Sequence, residues 1–346
     1  MTNKTISIVG LGKLGSAMVG AYASKGFNVI GVDINEDFVK LLNEAKPPVS
    51  ETNLPEYLAE NKERISATTD YQKAILNSFI TFIIVPTPSK ENGDFSTEYA
   101  VNAAKEIGKA LKDKQDFHVV VLTSTVTPGS TERDLKPVLE EYSGKKCGVD
   151  FGLCYNPEFI ALGSIIENLL NPDFTLIGQS DERSGKILTD FYEAVCPGKP
   201  VRVMNIVNAE ITKISLNTYV TTKISYANMI SELCENIPGG DAAVVTQALG
   251  SDSRIGHKYL KGATGYGGPC FPRDNRALVY AAKNYCVDLP IVKATDEINQ
   301  HQIKRLVKLI TKASQGGKEK VAFLGLSYKP HTHVIEESQP VMAAKM

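Results

Sequence analysis

Ile6-Ser-Ile-Val-Gly10-Leu-Gly12-Lys-Leu-Gly15 opens the chain with a short apolar run that breaks into three glycines. A helical pattern follows through Tyr22, and a second apolar run, residues 27–33, ends on Asp33. Strand, glycine turn, helix and strand in this order predict a βαβ unit. Each glycine has a task in it. Gly10 permits the tight turn, Gly12 lets backbone approach a pyrophosphate, and Gly15 lets the helix pack on the strand. The helix N-terminus offers unpaired N–H groups and a partial positive charge to phosphates. Asp33, about 20 residues beyond the turn, can accept both ribose hydroxyls. Glu36 and Asp37 just after it would repel a 2′-phosphate, so the pattern predicts NAD rather than NADP. A plain glycine turn with a surface aspartate shares the glycines but lacks this context.

Outward from that unit, buried-strand patterns recur at 79–85, 118–122, 152–155 and 174–177, mostly separated by helical stretches. The alternation predicts an α/β fold, with a Rossmann-type doubly wound parallel sheet over residues 1–200. The pattern then becomes helical, and residues 201–313 are read as an all-helical middle domain. A long helix at 208–236 stops at Pro238-Gly239-Gly240, and shorter helices are expected at 241–249, 276–284 and 291–311. After a loop at 314–317, residues 320–325 read as a buried strand. Residues 318–346 are thus expected to start a second Rossmann-like domain, read as truncated because so short a piece cannot bury a core of its own.

Composition narrows the function classes. With 346 residues, 42% hydrophobic and 22% charged, the chain suits two folded domains and part of a third. Its net charge of −1, from 38 basic and 39 acidic residues, gives no electrostatic case for nucleic acid or an anionic membrane. No apolar run reaches the roughly 18–20 residues of a membrane span. The first strand pattern starts so early that no signal peptide is expected, and six cysteines without a CxxC pair suggest neither a disulfide frame nor a zinc site. A reducing cytoplasm is the expected compartment, and no metal is expected.

The strings with chemical content lie at strand and helix ends. Val85-Pro-Thr87-Pro88 and Ser124-Thr125-Val-Thr-Pro-Gly129 each follow a strand, where ligands sit in such sheets, so Thr87 and Thr125 are candidate hydroxyl contacts to cofactor or substrate. Either threonine could equally satisfy its own turn. Gly265-Tyr266-Gly267-Gly-Pro-Cys270-Phe-Pro-Arg273-Asp274 is the most informative string. Its glycines allow close approach of a ligand, Pro272 suits the first turn of a helix, and Cys270 would sit at that helix N-terminus with Arg273 nearby, where a thiolate is favoured. Cys147, Cys154, Cys196, Cys234 and Cys286 are read as small buried residues. Glu210, Lys213 and Asn217 share one face of the long helix; they form either an oxyanion-binding set or a solvated polar stripe. Glu158, in Asn156-Pro-Glu158-Phe159, follows another strand. His331 and His333 are read as surface residues. A dinucleotide site with an activated cysteine suggests two successive oxidations: alcohol to aldehyde, thiol addition, a second hydride transfer to a thioester, then hydrolysis.

These strings, in this order, resemble the UDP-glucose/GDP-mannose dehydrogenase family. Further matches are Pro172-Asp173, Arg254-Ile-Gly256 and Gly325-Leu-Ser-Tyr328-Lys329-Pro330. The resemblance implies NAD-dependent oxidation of the C6 alcohol of a nucleotide sugar, with UDP-glucose the leading candidate, to a uronate used in polysaccharide biosynthesis. It implies Cys270 as nucleophile, Glu158 as base, Lys213 and Asn217 as oxyanion holders, and Asp274 and Thr125 as water or proton positioners. Gly10, Gly12, Gly15, Asp33, Thr87, Thr125 and Arg273 would face the cofactor. Glu158, Phe159, Lys213, Asn217, Lys261, Gly265, Tyr266, Gly267, Tyr328 and Lys329 would face the sugar nucleotide, and Arg254 that of a neighbouring subunit. The long helix would build a homodimer. Leu162 and Glu336 stand where the family commonly has an acidic residue and an arginine near the cofactor. Two other readings remain: a one-step dehydrogenase of hydroxy acids, which needs no cysteine, and an inactive nucleotide-sugar sensor.

Overall fold

The structure, a computed structural model, describes residues 4–160, 163–330 and 332–346. Leu162 and His331 therefore lie outside the described residues. The chain divides into two compact units, Met1–Lys90 with Phe95–Lys213, and Glu91–Asp94 with Ile214–Met346.

The first unit is built on one eight-stranded sheet, β1 (Thr5–Val9), β2 (Asn28–Val32), β3 (Ile65–Thr68), β4 (Ile80–Ile83), β5 (His118–Leu122), β6 (Phe151–Tyr155), β7 (Thr175–Gln179) and β8 (Val201–Asn205). Its order is β3-β2-β1-β4-β5-β6-β7-β8, so the strand order reverses beside β1. The helices between the strands are α1 (Lys13–Ser24), α2 (Glu36–Asn43), α3 (Leu54–Glu60), α4 (Tyr71–Leu76), α5 (Glu98–Asp113), α6 (Lys136–Ser143), α7 (Ile165–Leu170) and α8 (Glu182–Val195). Side chains alternate across the sheet. Val119 and Val121 of β5 join the cluster containing α1 and α8 residues, whereas Val120 and Leu122 join the one containing α5 and α6 residues. Burial on both faces is why these strands read as unbroken apolar runs.

One strand departs from the parallel arrangement expected. β7 runs antiparallel to β6, with Cys154 opposite Gln179 and Tyr155 opposite Gly178, while β8 returns parallel to β7. The link from β6 to β7 carries only the six-residue helix α7, in place of the longer helices that cross between parallel neighbours such as β4 and β5.

The second unit is helical: α9 (Ile206–Asn236) begins in the first unit and continues here, followed by α10 (Ala242–Gly250), α11 (Phe271–Lys283), α12 (Pro290–Ala313) and α13 (Gln339–Lys345). Asp241 caps α10 through the N–H groups of Ala243 and Val244. α11 starts ahead of the 276 expected, because Pro272 fits its first turn. The strand expected at 320–325 is not formed, and Val321 and Leu324 are 48% and 99% exposed. A parallel strand forms only where a neighbour receives its N–H and C=O groups, and among the described residues none pairs with this segment.

Candidate active site

The glycine turn is shaped by contacts at two of its three glycines. Gly10 has φ +98°, and a Cβ there would fall 2.2 Å from the Ile84 carbonyl oxygen. A Cβ on Gly15 would lie 1.8 Å from the Gly10 oxygen. At Gly12 a Cβ would meet nothing within 4 Å; it would project into open space at the head of α1. That is the space a pyrophosphate needs against free N–H groups, and the residues present fit a dinucleotide. Asp33 closes the turn: Oδ2 accepts the Leu11 N–H at 2.6 Å and Oδ1 the Asn35 N–H at 2.9 Å. Each carboxylate oxygen carries a further lone pair for a ribose hydroxyl.

The loops after β4 and β5 are laced together. Thr87 Oγ1 donates to the Thr125 carbonyl at 2.7 Å, and Ser124 Oγ donates to the Val85 carbonyl at 2.6 Å while accepting its N–H at 2.9 Å. Thr87 is buried, so its hydroxyl joins the two loops. Thr125 is half-buried. Glu210 fixes the far end of the second loop, a role not legible in sequence. Its carboxylate accepts the N–H groups of Gly129 and Thr131 at 2.5 and 2.9 Å and the Thr131 hydroxyl at 2.6 Å. Burial raises the Glu210 carboxyl above its usual range, and those three bonds pull it back down.

Glu158, Phe159 and Lys213 converge in the first unit. Lys213 Nζ donates to the Glu158 carbonyl at 2.7 Å and lies 4.7 Å from the Phe159 ring centroid, which packs at 5.0 Å on Phe174. Burial pushes the Glu158 carboxyl up to about 7, with the Tyr192 hydrogen bond and the Lys213 charge opposing. Glu210, Lys213 and Asn217 are all at most 9% exposed, so the polar face of α9 is enclosed by protein.

In the second unit, Asn217 Nδ2 donates to Asp274 Oδ2 at 2.6 Å. Cys270 caps α11 and is exposed, with Pro272 in the first turn and Arg273 Nε 3.8 Å from Asp274 Oδ1. Gly268, at φ +83°, leaves room for the Tyr328 ring, which a Cβ would meet at 2.5 Å. Burial and the nearby Cys270 raise the Tyr328 phenol. Lys329 Nζ lies 5.8 Å from the Tyr328 centroid. The Tyr266 side chain is buried: its hydroxyl donates to Asp296, and Asn275 Nδ2 reaches Asp296 at 2.8 Å and the Tyr266 hydroxyl at 3.1 Å. Asn299 accepts the Tyr266 N–H at 2.8 Å and donates to its carbonyl at 3.0 Å. The Gly265–Gly267 backbone is thereby pinned to α12. Glu336 meets this loop through its carbonyl, which accepts the Gly268 N–H at 3.0 Å, while its side chain is exposed. Arg254 is exposed and chelated by Asp252 at 2.6–3.2 Å, and Lys261 is exposed. His333 is exposed, as read.

Cys147, Cys154, Cys196 and Cys234 are buried as expected, and burial raises the first three thiols. Cys286 corrects the expectation: it is exposed, with φ 57°, because it sits in the turn that ends α11. Among the described residues no cluster of three or more His, Cys, Asp or Glu could hold a metal, and no helix is long and apolar enough to cross a membrane.

A sheet whose order reverses beside a glycine turn closed by an aspartate defines a dinucleotide-binding protein. The comparisons with known proteins narrow this. The NAD-binding domain of the UDP-glucose/GDP-mannose dehydrogenase family matches residues 4–196, and the central domain of that family matches residues 207–301. The chain belongs to the UDP-glucose/GDP-mannose dehydrogenase family, and its cofactor is NAD. It is 35% identical over 345 residues to GDP-mannose 6-dehydrogenase of Pseudomonas aeruginosa, covering 99% of this chain and 78% of that one. It is 34% identical to the UDP-glucose 6-dehydrogenase AglM of Haloferax volcanii, covering 97% and 79%. A UDP-glucose dehydrogenase structure from Pyrobaculum islandicum superposes with a TM-score of 0.90 at 32% identity, over 99% of this chain and 79% of that one.

Proposed function

We propose that this chain oxidises the C6 alcohol of a nucleotide sugar to the uronate in two hydride transfers, with Cys270 carrying the substrate between them. The observation that carries the reading is the exposed Cys270 at the head of a 13-residue helix, while four of the other five cysteines are buried. A helix N-terminus favours the thiolate. NAD+, which the Gly10–Gly15 turn and Asp33 would hold, would supply the hydride acceptor for each of the two oxidations. After the first, the Cys270 thiolate adds to the aldehyde carbon and the alkoxide takes a proton, giving a thiohemiacetal. Loss of the second hydride and the hydroxyl proton leaves a thioester on Cys270. Glu158 takes a proton from water, which attacks the thioester carbonyl; Lys213 and Asn217 hold the oxyanion. The C–S bond then breaks and returns the thiolate. Asp274, hydrogen-bonded to Asn217, and Thr125 position water and protons. Arg273 and Thr87 serve the cofactor side. Phe159, Lys261, the 265–267 loop, Tyr328 and Lys329 serve the sugar nucleotide, and Arg254 that of a second subunit.

UDP-glucose and GDP-mannose are the substrates to offer, since relatives named for each are similarly close, at 34% and 35% identity. The expected yield is about two NADH per sugar consumed, with a uronate as product. One NADH with an aldehyde or ketone as the end product would instead mean a one-step dehydrogenase, and tight binding without turnover a sensor.

We also assign a homodimer to α9, in a cytoplasmic setting suited to six free cysteines. Tyr219, Tyr226, Met229 and Leu233 recur at helical spacing on α9 and are 66%, 44%, 44% and 54% exposed. An apolar stripe of that length is what a second copy would cover. Sedimentation velocity should give twice the chain mass, and Tyr226→Glu should shift it toward the monomer. A monomeric wild-type protein at micromolar concentration overturns the assignment.

A further inference from the structure

The carboxyl of Glu158 does not stand alone. Tyr192, on α8, places its hydroxyl 2.5 Å from Asn156 Oδ1 and 3.2 Å from Glu158 Oε1, and the Tyr22 hydroxyl of α1 lies 3.2 Å from that of Tyr192. Both phenols are buried, at 0% and 3% exposure, and burial keeps them protonated. Asn156 Nδ2 donates to the Leu176 carbonyl at 2.8 Å, which turns Oδ1 toward Tyr192.

A phenol has one proton to donate and lone pairs to accept with. Tyr192 therefore cannot serve Asn156 and Glu158 at once as a donor. When Glu158 is protonated, its own proton can go to the Tyr192 oxygen while Tyr192 donates to Asn156. When Glu158 ionises, the Tyr192 proton turns to Oε1, and Tyr22 supplies a donor to the Tyr192 oxygen. We propose that Tyr192 is a positioning residue whose hydroxyl supports the Glu158 carboxyl in both protonation states and so sets the pH at which Glu158 becomes a base, with Tyr22 as the second donor. This rests on the reading of Glu158 as the base for thioester hydrolysis.

Among the described residues, the ionisable groups that act on Glu158 are Tyr22 from α1, Tyr192 from α8, Cys196 just beyond the end of α8, and Lys213 from α9. Of these, Lys213 and Tyr192 favour the carboxylate, against the burial that disfavours it. Removing the Tyr192 donor leaves Lys213 as the main support for the ionised form, so the carboxyl ionises at higher pH.

The test is the pH profile of uronate formation by the whole protein. Tyr192→Phe keeps the ring and deletes the proton. Its acidic limb should move up by about one pH unit, which is a loss of about tenfold on that limb, with the high-pH plateau and the KM for the sugar nucleotide near wild type. Tyr22→Phe should move the limb in the same direction by less. A Tyr192→Phe profile that superposes on wild type, or one lowered equally at every pH, overturns the inference. If Tyr192→Phe does not fold, Tyr22→Phe decides, and an unmoved limb there overturns it. Glu158→Gln separates the two levels. Full acid formation in that variant defeats the reading of Glu158 as base, whereas its loss alongside an unmoved Tyr192→Phe profile defeats this inference alone.

Discussion

Cys270→Ser should lower uronate formation by about three orders of magnitude, roughly 4 kcal/mol in the barrier. A serine hydroxyl fits the space but does not ionise near neutral pH, so the helix terminus that favours a thiolate has no anion to stabilise. The defect should fall on the second oxidation. Reduction of the sugar aldehyde by NADH, the reverse of the first step, needs no nucleophile and should survive. In the wild-type protein, quenched turnover should show the sugar nucleotide attached to the peptide containing Cys270.

Cys286 supplies the control. It is the other exposed cysteine among the described residues, but it lies in the turn that ends α11 rather than at the head of the helix. Both thiols should react with an alkylating agent, and only modification at Cys270 should abolish activity, with Cys286→Ser leaving it unchanged. Wild-type uronate formation by Cys270→Ser would remove the covalent pathway and return the protein to a one-step dehydrogenase.

The parts of this molecule that could be read from sequence are those whose reasons are local. The turn from Ile6 to Asp33 was legible because strand, glycines, helix and acidic residue follow one another in a single short stretch, with Gly15 packed on the Gly10 oxygen five residues earlier. The inner strands were legible because both their faces are buried. β3 and β8 were not: Ile65-Ser-Ala-Thr68 and Val201-Arg-Val-Met-Asn205 are edge strands, intermediate or exposed throughout, and their apolar content is correspondingly diluted. Segment 320–325 shows the converse, since an apolar run is only an offer of a strand until another edge accepts it. The candidate site divides in the same way. Cys270 announces itself through the helix start it occupies. Tyr192 meets Glu158 across 34 residues, Glu210 meets Gly129 across 81, and Tyr266 meets Asp296 across 30, so no spacing in the sequence marks these pairs. Supporting residues of this kind are made by the fold.

His118 should make the protein acid-labile in a way that one substitution can isolate. It opens β5 and is fully buried: Nε2 lies 2.7 Å from Thr81 Oγ1 and Nδ1 3.0 Å from the Ser78 carbonyl, with Ser7 bonded to both Ser78 and Thr81. The carbonyl can only accept, so Nδ1 carries the proton and Nε2 accepts from Thr81. Burial pushes the imidazole down to about 3 from its ordinary 6.5. Below pH 6.5 the unfolded chain takes a proton that the folded one refuses, so stability falls with pH until the folded imidazole titrates near 3. The slope is at most about 1.4 kcal/mol per pH unit, and the whole window amounts to roughly 4–5 kcal/mol. Glu158 works in the opposite sense, because its raised carboxyl gains a proton on folding between about 7 and 4.5, which adds stability as pH falls through that range. The two effects should nearly cancel between pH 6.5 and 4.5 and leave the His118 loss unopposed below. A difference measurement removes Glu158 altogether. The stability gap between wild type and His118→Gln, from denaturant titrations at fixed pH, should be constant above pH 7 and shift steadily against wild type down to pH 3.5. A gap that does not change with pH, or an imidazole that titrates near 6.5 by NMR, would show that proton uptake at this position is not what acid exploits.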